Sequence, residues 1–337
     1  MYVVGEVVGA SLLGVRLRRN RMKQQLSAGL LTGALAFCGL SLAGPAPACV
    51  LIVLAFLAGA APAACPGGIR TMLTQLVTDG AVPRALSAET TLTQITWAAA
   101  PALVVFLALQ VHAGAPLLLG ALCAAAASIL LLRLPTEPQQ PPPAERAAAP
   151  LTQIWLLGWP VYLTSAASMA MLAAAELVLP AFLEQRQVAV GWSGPLLVAF
   201  ALASAAGAFC YGLRLWPGSV QTQSLVLLVA MAGCLLLITV LPGASGITVG
   251  FLLAGVFQSG VMITRNLSLR EQLPSHMHAA AYSVLYALGG LGYSLAAALA
   301  AVALDLGNPS AAIIGGVAIT LLFATASAMA EKRSYRH

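Results

Sequence analysis

Charge is what this sequence has least of. Only 8% of its 337 residues are Asp, Glu, Lys or Arg, while 60% are hydrophobic. A soluble domain carries roughly 25% charged residues, so water cannot be the solvent for most of this surface. A soluble enzyme, a nucleic-acid-binding module and a disordered chain are excluded together. The six cysteines, Cys38, Cys49, Cys65, Cys123, Cys210 and Cys234, form no C-x-x-C pair. They read as small apolar fillers rather than disulfides or metal ligands. There is no Gly-rich phosphate loop, nucleophile elbow or H-E-x-x-H, and His276 and His278 have no third ligand near in sequence. No cofactor, metal or catalytic residue is expected. No basic stretch precedes the first apolar run, so the chain shows no cleavable signal peptide.

What the sequence has in abundance is long apolar runs. A bilayer-spanning helix uses about 20 residues, and eleven candidate spans follow: about 1–16, 25–45, 48–69, 88–110, 114–134, 152–182, 191–213, 221–242, 246–268, 279–303 and 309–330. The first is shorter than the others. The runs are continuously apolar and rich in Ala and Leu, which argues against the alternation of barrel strands. The expected fold class is an all-α integral membrane protein of about eleven transmembrane helices, five before and six after a linker.

The basic residues give the orientation. Fifteen of the 16 Lys and Arg residues fall in one alternate set of loops, and only Arg186 falls in the other. The positive-inside rule places the first set in the cytoplasm, and with it the C-terminus. Eleven spans then put Met1 outside. The net charge of +6 is explained by these loops and implies no nucleic-acid partner. The expected location is the plasma membrane, with the lipid bilayer as the chain's main surroundings.

Residues 135–150 hold the longest polar break, rich in proline that cannot continue a helix. They divide a bundle at 1–134 from a bundle at 151–330, followed by a tail at 331–337. The halves echo one another weakly: Arg70 and Ala85 recur as Arg265 and Ala280, 195 residues on.

Three stretches carry a family resemblance. Gly9-Ala-Ser-Leu-Leu-Gly14, followed by Arg16, Arg18, Arg19, Arg21 and Lys23, resembles the glycine-then-basic loop of the major facilitator superfamily, with Arg18 where the family usually has aspartate. The stretch Arg70 to Ala88 resembles the family's fourth-to-fifth helix connection. Gln94-Ile-Thr-Trp97-Ala-Ala-Ala100-Pro101 resembles the fifth-helix motif of its drug- and siderophore-exporter-like branch, with Ala100 in place of glycine. The resemblance implies a two-bundle secondary transporter, and equates the first span with the family's second helix, so the family's first helix is apparently absent.

Ionisable groups inside a membrane are costly and mark function. Two acids sit well within the expected spans, Glu6 and Glu176, and both are candidates for proton coupling. Each has a plainer reading as a paired or hydrated carboxylate. Gln258, Gln94, Trp97, Tyr162, Met169 and Tyr286 are candidates for the substrate cavity, or for helix–helix contacts and core filling. Gly9, Gly14, Arg18, Arg19, Arg21, Arg70, Pro101 and Arg265 are the motif and gating candidates, and Arg70 and Arg265 are expected to close their helices at the cytoplasmic face. With no basic residue deep in a span, an anionic substrate is not expected. The function read from these features is proton-driven efflux of a moderately hydrophobic small molecule by a monomeric multidrug-type antiporter. Two alternatives stand beside it: a nutrient-uptake permease, and a truncated, non-transporting remnant.

Overall fold

The computed structural model describes residues 1–17, 21–44, 46–134, 151–241 and 243–334. Arg18, Arg19 and the Pro-rich segment 135–150 lie outside the described residues. Among the described residues the chain is helical, with short 3-10 turns and no strand. Twelve α-helices follow in order: α1 (Tyr2–Arg16), α2 (Met22–Leu42), α3 (Ala48–Ala60), α4 (Cys65–Leu76), α5 (Val82–Gln110), α6 (Ala115–Arg133), α7 (Leu151–Gln185), α8 (Ser193–Leu213), α9 (Val220–Val240), α10 (Gly243–Gln272), α11 (His278–Asp305) and α12 (Pro309–Ser334). Ten stretches are long and apolar enough to cross a bilayer, with α3 and α4 counting as one, Ala48–Leu76. The 15-residue α1 is about 22 Å long, short of the ~30 Å hydrocarbon core. The all-α membrane architecture expected from the apolar runs is the one observed.

Helices are the answer to lipid because each satisfies its own backbone. Prolines disturb this, yet α5 runs through Pro101 and α7 through Pro160 and Pro180. Near Pro160, side chains add hydrogen bonds: Thr164 and Ser327 both donate to its carbonyl, at 2.9 and 3.1 Å.

By its contacts the chain forms two compact units. The first comprises Met1–Leu73, Pro101–Gly158 and Gln272–Ala287; the second comprises Thr74–Ala100, Trp159–Glu271 and Leu288–His337. In the first, α1 packs on α3, and α2 packs on both α3 and α6. Small residues set these distances. A Cβ on Gly5 or Gly9 would collide with the carbonyl of Phe56 or Ala60, so the α1 and α3 backbones are nearly in contact. Ser27 of α2 and Ser128 of α6 bond to each other where both are buried.

The second unit holds the larger core. Phe182, Met231, Leu235, Ile238, Phe251 and Val317 come together there from α7, α9, α10 and α12. α7 and α10 are the most buried of the spans, and so carry the side chains furthest from lipid.

Two substitutions test the role of close approach. Gly9→Val drives a branched side chain into the Ala60 carbonyl and costs about 1–3 kcal/mol, read as a lower thermal midpoint of the purified protein. Gly233→Ala, where a Cβ meets nothing within 4 Å, leaves the midpoint unchanged or raises it, because alanine favours the helix over glycine.

Candidate functional site

The polar side chains of the second unit gather along α7. Thr164, Met169 and Glu176 lie within 12 residues of one helix, about 18 Å. Each meets a partner from another helix. The hydroxyl of Thr164 accepts from Arg265 Nη1 of α10 at 2.6 Å. Met169 Sδ accepts from Gln258 Nε2 of α10 at 3.7 Å. Glu176 Oε2 accepts from the Tyr293 hydroxyl of α11 at 3.3 Å. On α10, Gln258 and Arg265 are seven residues apart and share a face. The result is a ladder with a cation at one end, an amide beside a soft sulfur in the middle, and a carboxyl at the other.

Gln94 joins the middle rung from α5. Its Nε2 lies 3.6 Å from the sulfur of Met262, one helical turn from Gln258 on α10. Gln258 is fully buried, and its side-chain oxygen has no hydrogen-bond partner. Such an acceptor is what a ligand's donor would satisfy. Of the other cavity candidates, Tyr162 is buried in the core and Trp97 is exposed at 40%. Tyr286 belongs to the first unit, where it hydrogen-bonds Glu6. Glu6 of α1 thus faces a tyrosine of α11. Pro101 is exposed within α5, and Arg21 stands exposed just before α2.

The arginines correct the expectation drawn from sequence. Arg70 and Arg265 do not close their helices, because α4 runs on to Leu76 and α10 to Gln272. Arg265 is among the largest fully buried side chains, at 2% exposure, and Arg70 is 8% exposed with Tyr282 under its guanidinium at 5.9 Å. The apolar run ends at the arginine, but the helix continues in polar residues, so hydropathy marks the wrong boundary. Two further corrections follow. A basic side chain does lie inside a span, so an anionic substrate is not disfavoured on that ground. The span expected from residue 88 begins at Val82, after a 3-10 turn at Asp79–Ala81, so Glu89 lies two turns inside α5 rather than at its start.

Sequence reasoning missed a pair of matched contacts between the N-terminal and C-terminal halves. In the second unit, Ser87 of α5 sits against Gly212 of α8: a Cβ on Gly212 would lie 2.6 Å from Ser87 Cβ, and the Ser87 hydroxyl bonds the Ala208 carbonyl. In the first unit, Ser283 of α11 sits against Gly14 of α1, with the corresponding distance 2.7 Å. Ser87 and Ser283 are 196 residues apart, and the 3-10 turns at Asp79–Ala81 and Ser275–Met277 repeat at the same spacing. Gly9-Ala10, Gly14 and Arg16 recur as Gly207-Ala208, Gly212 and Arg214. That echo was the available signal. An exposed ion pair, Arg270 Nη2 to Asp79 Oδ1 at 2.8 Å, joins the end of α10 to the turn before α5.

Thr164→Val tests the inner end of the ladder. It keeps the side chain's shape and removes the acceptor of a buried, charge-assisted hydrogen bond, at a cost of about 1–3 kcal/mol. The expected outcome is a lower thermal midpoint, with helical content by circular dichroism unchanged.

Comparison with known proteins follows the fold. No curated protein matches this sequence. Solved structures that share the architecture include three transporters. The human organic anion transporter MFSD10 (TETRAN) is 16% identical with a TM-score of 0.71, the match covering 97% of this chain and 82% of that one. The E. coli fucose:proton symporter FucP is 14% identical with a TM-score of 0.72, covering 96% and 87%. The proton:xylose symporter XylE is 11% identical with a TM-score of 0.75, covering 96% and 83%. At these identities the likeness is one of fold. The sequence model of the Major Facilitator Superfamily matches residues 1–297, most of the chain. This multi-pass membrane protein, a transporter rather than an enzyme, belongs to the Major Facilitator Superfamily.

Proposed function

We propose that the chain exports a moderately hydrophobic small molecule against protons by alternating access, in the manner of the drug- and siderophore-exporter-like branch. The observation that carries this reading is the placing of Glu176 and Met169 on one helix, seven residues apart, with Gln258 beside the methionine. A proton taken or lost by the carboxyl and a substrate resting on the sulfur and amide then act on the same element, which is how a gradient and a cargo are coupled. The soft methionines Met169 and Met262 suit an adaptable apolar cargo, and Gln258 orients it. The two sequence halves, 1–134 and 151–330, rock about this level. The protein is monomeric in a plasma membrane, and the basic ends face the cytoplasm. The Ser87–Gly212 and Ser283–Gly14 contacts close that end and part when it opens. The same reading sets α1 at the family's second helix.

A second reading has its own support. Arg265, buried beside Thr164, offers a cation to an anionic or strongly polar cargo, and the fold neighbours include proteins named as an organic anion transporter and sugar:proton symporters. Uptake of a polar nutrient is then the alternative direction.

Flux in proteoliposomes under an imposed pH gradient separates these. The expected result is gradient-driven movement of a lipophilic dye such as ethidium, falling to background in Glu176→Gln, while xylose and small carboxylates stay inside the background. Movement of the sugar or the carboxylate instead, lost in Arg265→Gln, establishes the second reading. Dye flux unchanged in Glu176→Gln removes that residue from coupling.

A further inference from the structure

Glu176 has its one described hydrogen-bond partner on α11, and the local packing explains how that partner reaches it. α11 carries Gly289, Gly290 and Gly292 immediately before Tyr293. A Cβ on Gly292 would collide with the Ala166 carbonyl, and one on Gly289 would lie 3.4 Å from Met169 Cγ. Gly292 thus lets α11 lie directly against the α7 backbone, and Tyr293 is the polar side chain this close approach delivers to the carboxyl. The cation at the end of α7, Arg186, is committed elsewhere, donating to the Thr239 carbonyl with its guanidinium 5.3 Å from the Phe182 ring. The Tyr293–Glu176 distance of 3.3 Å exceeds the usual ~2.7–2.8 Å of an O–H to O bond. The hydroxyl meets one carboxyl oxygen and not the other.

We propose that Tyr293 is the positioning residue of the coupling carboxylate. Its hydroxyl donates to one oxygen of Glu176 and holds the group turned toward α11, both when the carboxyl carries a proton and when it does not. The other oxygen is left to take and release the proton. This rests on the reading of Glu176 as the proton carrier. Glu6 has a separate tyrosine partner, Tyr286, so the two acids are held independently.

Infrared difference spectroscopy on the purified full-length protein in lipid tests this with no need of a substrate. Acidification yields a protonated-carboxyl C=O stretching band, and Glu176→Gln identifies the part belonging to Glu176 by its loss. Tyr293→Phe, which removes only the hydroxyl, moves that band to higher wavenumber because the carbonyl loses its donor, while Tyr286→Phe leaves it in place. A band lost in Glu176→Gln but unmoved in Tyr293→Phe overturns the role of Tyr293 and leaves the proton carrier standing. No band lost in Glu176→Gln overturns the proton-carrier reading itself, and the role of Tyr293 with it. Unchanged thermal midpoints in both tyrosine variants show that the shift is not one of folding.

Discussion

A polar side chain placed in lipid must find its partner inside the protein, and α7 is where this chain meets that requirement. An unpaired donor or acceptor away from water costs several kcal/mol. With so few charged residues available, three of the buried or half-buried polar groups on α7 and α10 have counterparts on a neighbouring helix, although the Gln258 oxygen is left without one. Arg265 finds Thr164, Gln258 finds Met169, and Glu176 finds Tyr293. The ladder gathers these polar groups between α7, α10 and α11. Burial of α7 and α10 follows from the same requirement, since their polar faces cannot turn to the bilayer.

Much of the fold is legible in the sequence because lipid leaves a single local answer. Continuous apolar runs become helices, and the runs read from composition reappear as α1 to α12, with the third divided at Pro62 into α3 and α4. The helix ends are less legible. Hydropathy falls at Arg70 and Arg265, but backbone hydrogen bonding does not stop where polarity starts, so α4 and α10 run on for six and seven more residues. That error hid a buried cation and, through it, a wider choice of cargo.

The candidate site was half visible. Gln258, Met169, Gln94 and Glu176 stand out as polar or soft residues within apolar runs. Their partners do not. Tyr293 and Thr164 are unremarkable in sequence, because what qualifies them is the approach of another helix. That approach depends on glycines such as Gly292, whose meaning is tertiary. The matched contacts of Ser87 with Gly212 and Ser283 with Gly14 were written in the repeat, but its offset drifts from 195 to 198 residues between motifs, and a search at one fixed spacing finds only fragments.

The central claim is that these matched contacts part and re-form as the chain works. Ser87→Cys with Gly212→Cys, in a chain whose six native cysteines have been replaced, tests it most directly. The two backbones are close enough for a disulfide once the helices yield by about 1 Å. The account predicts that oxidation cross-links the pair and stops gradient-driven flux in proteoliposomes, and that a reductant restores it. Undiminished flux with the cross-link complete would contradict it.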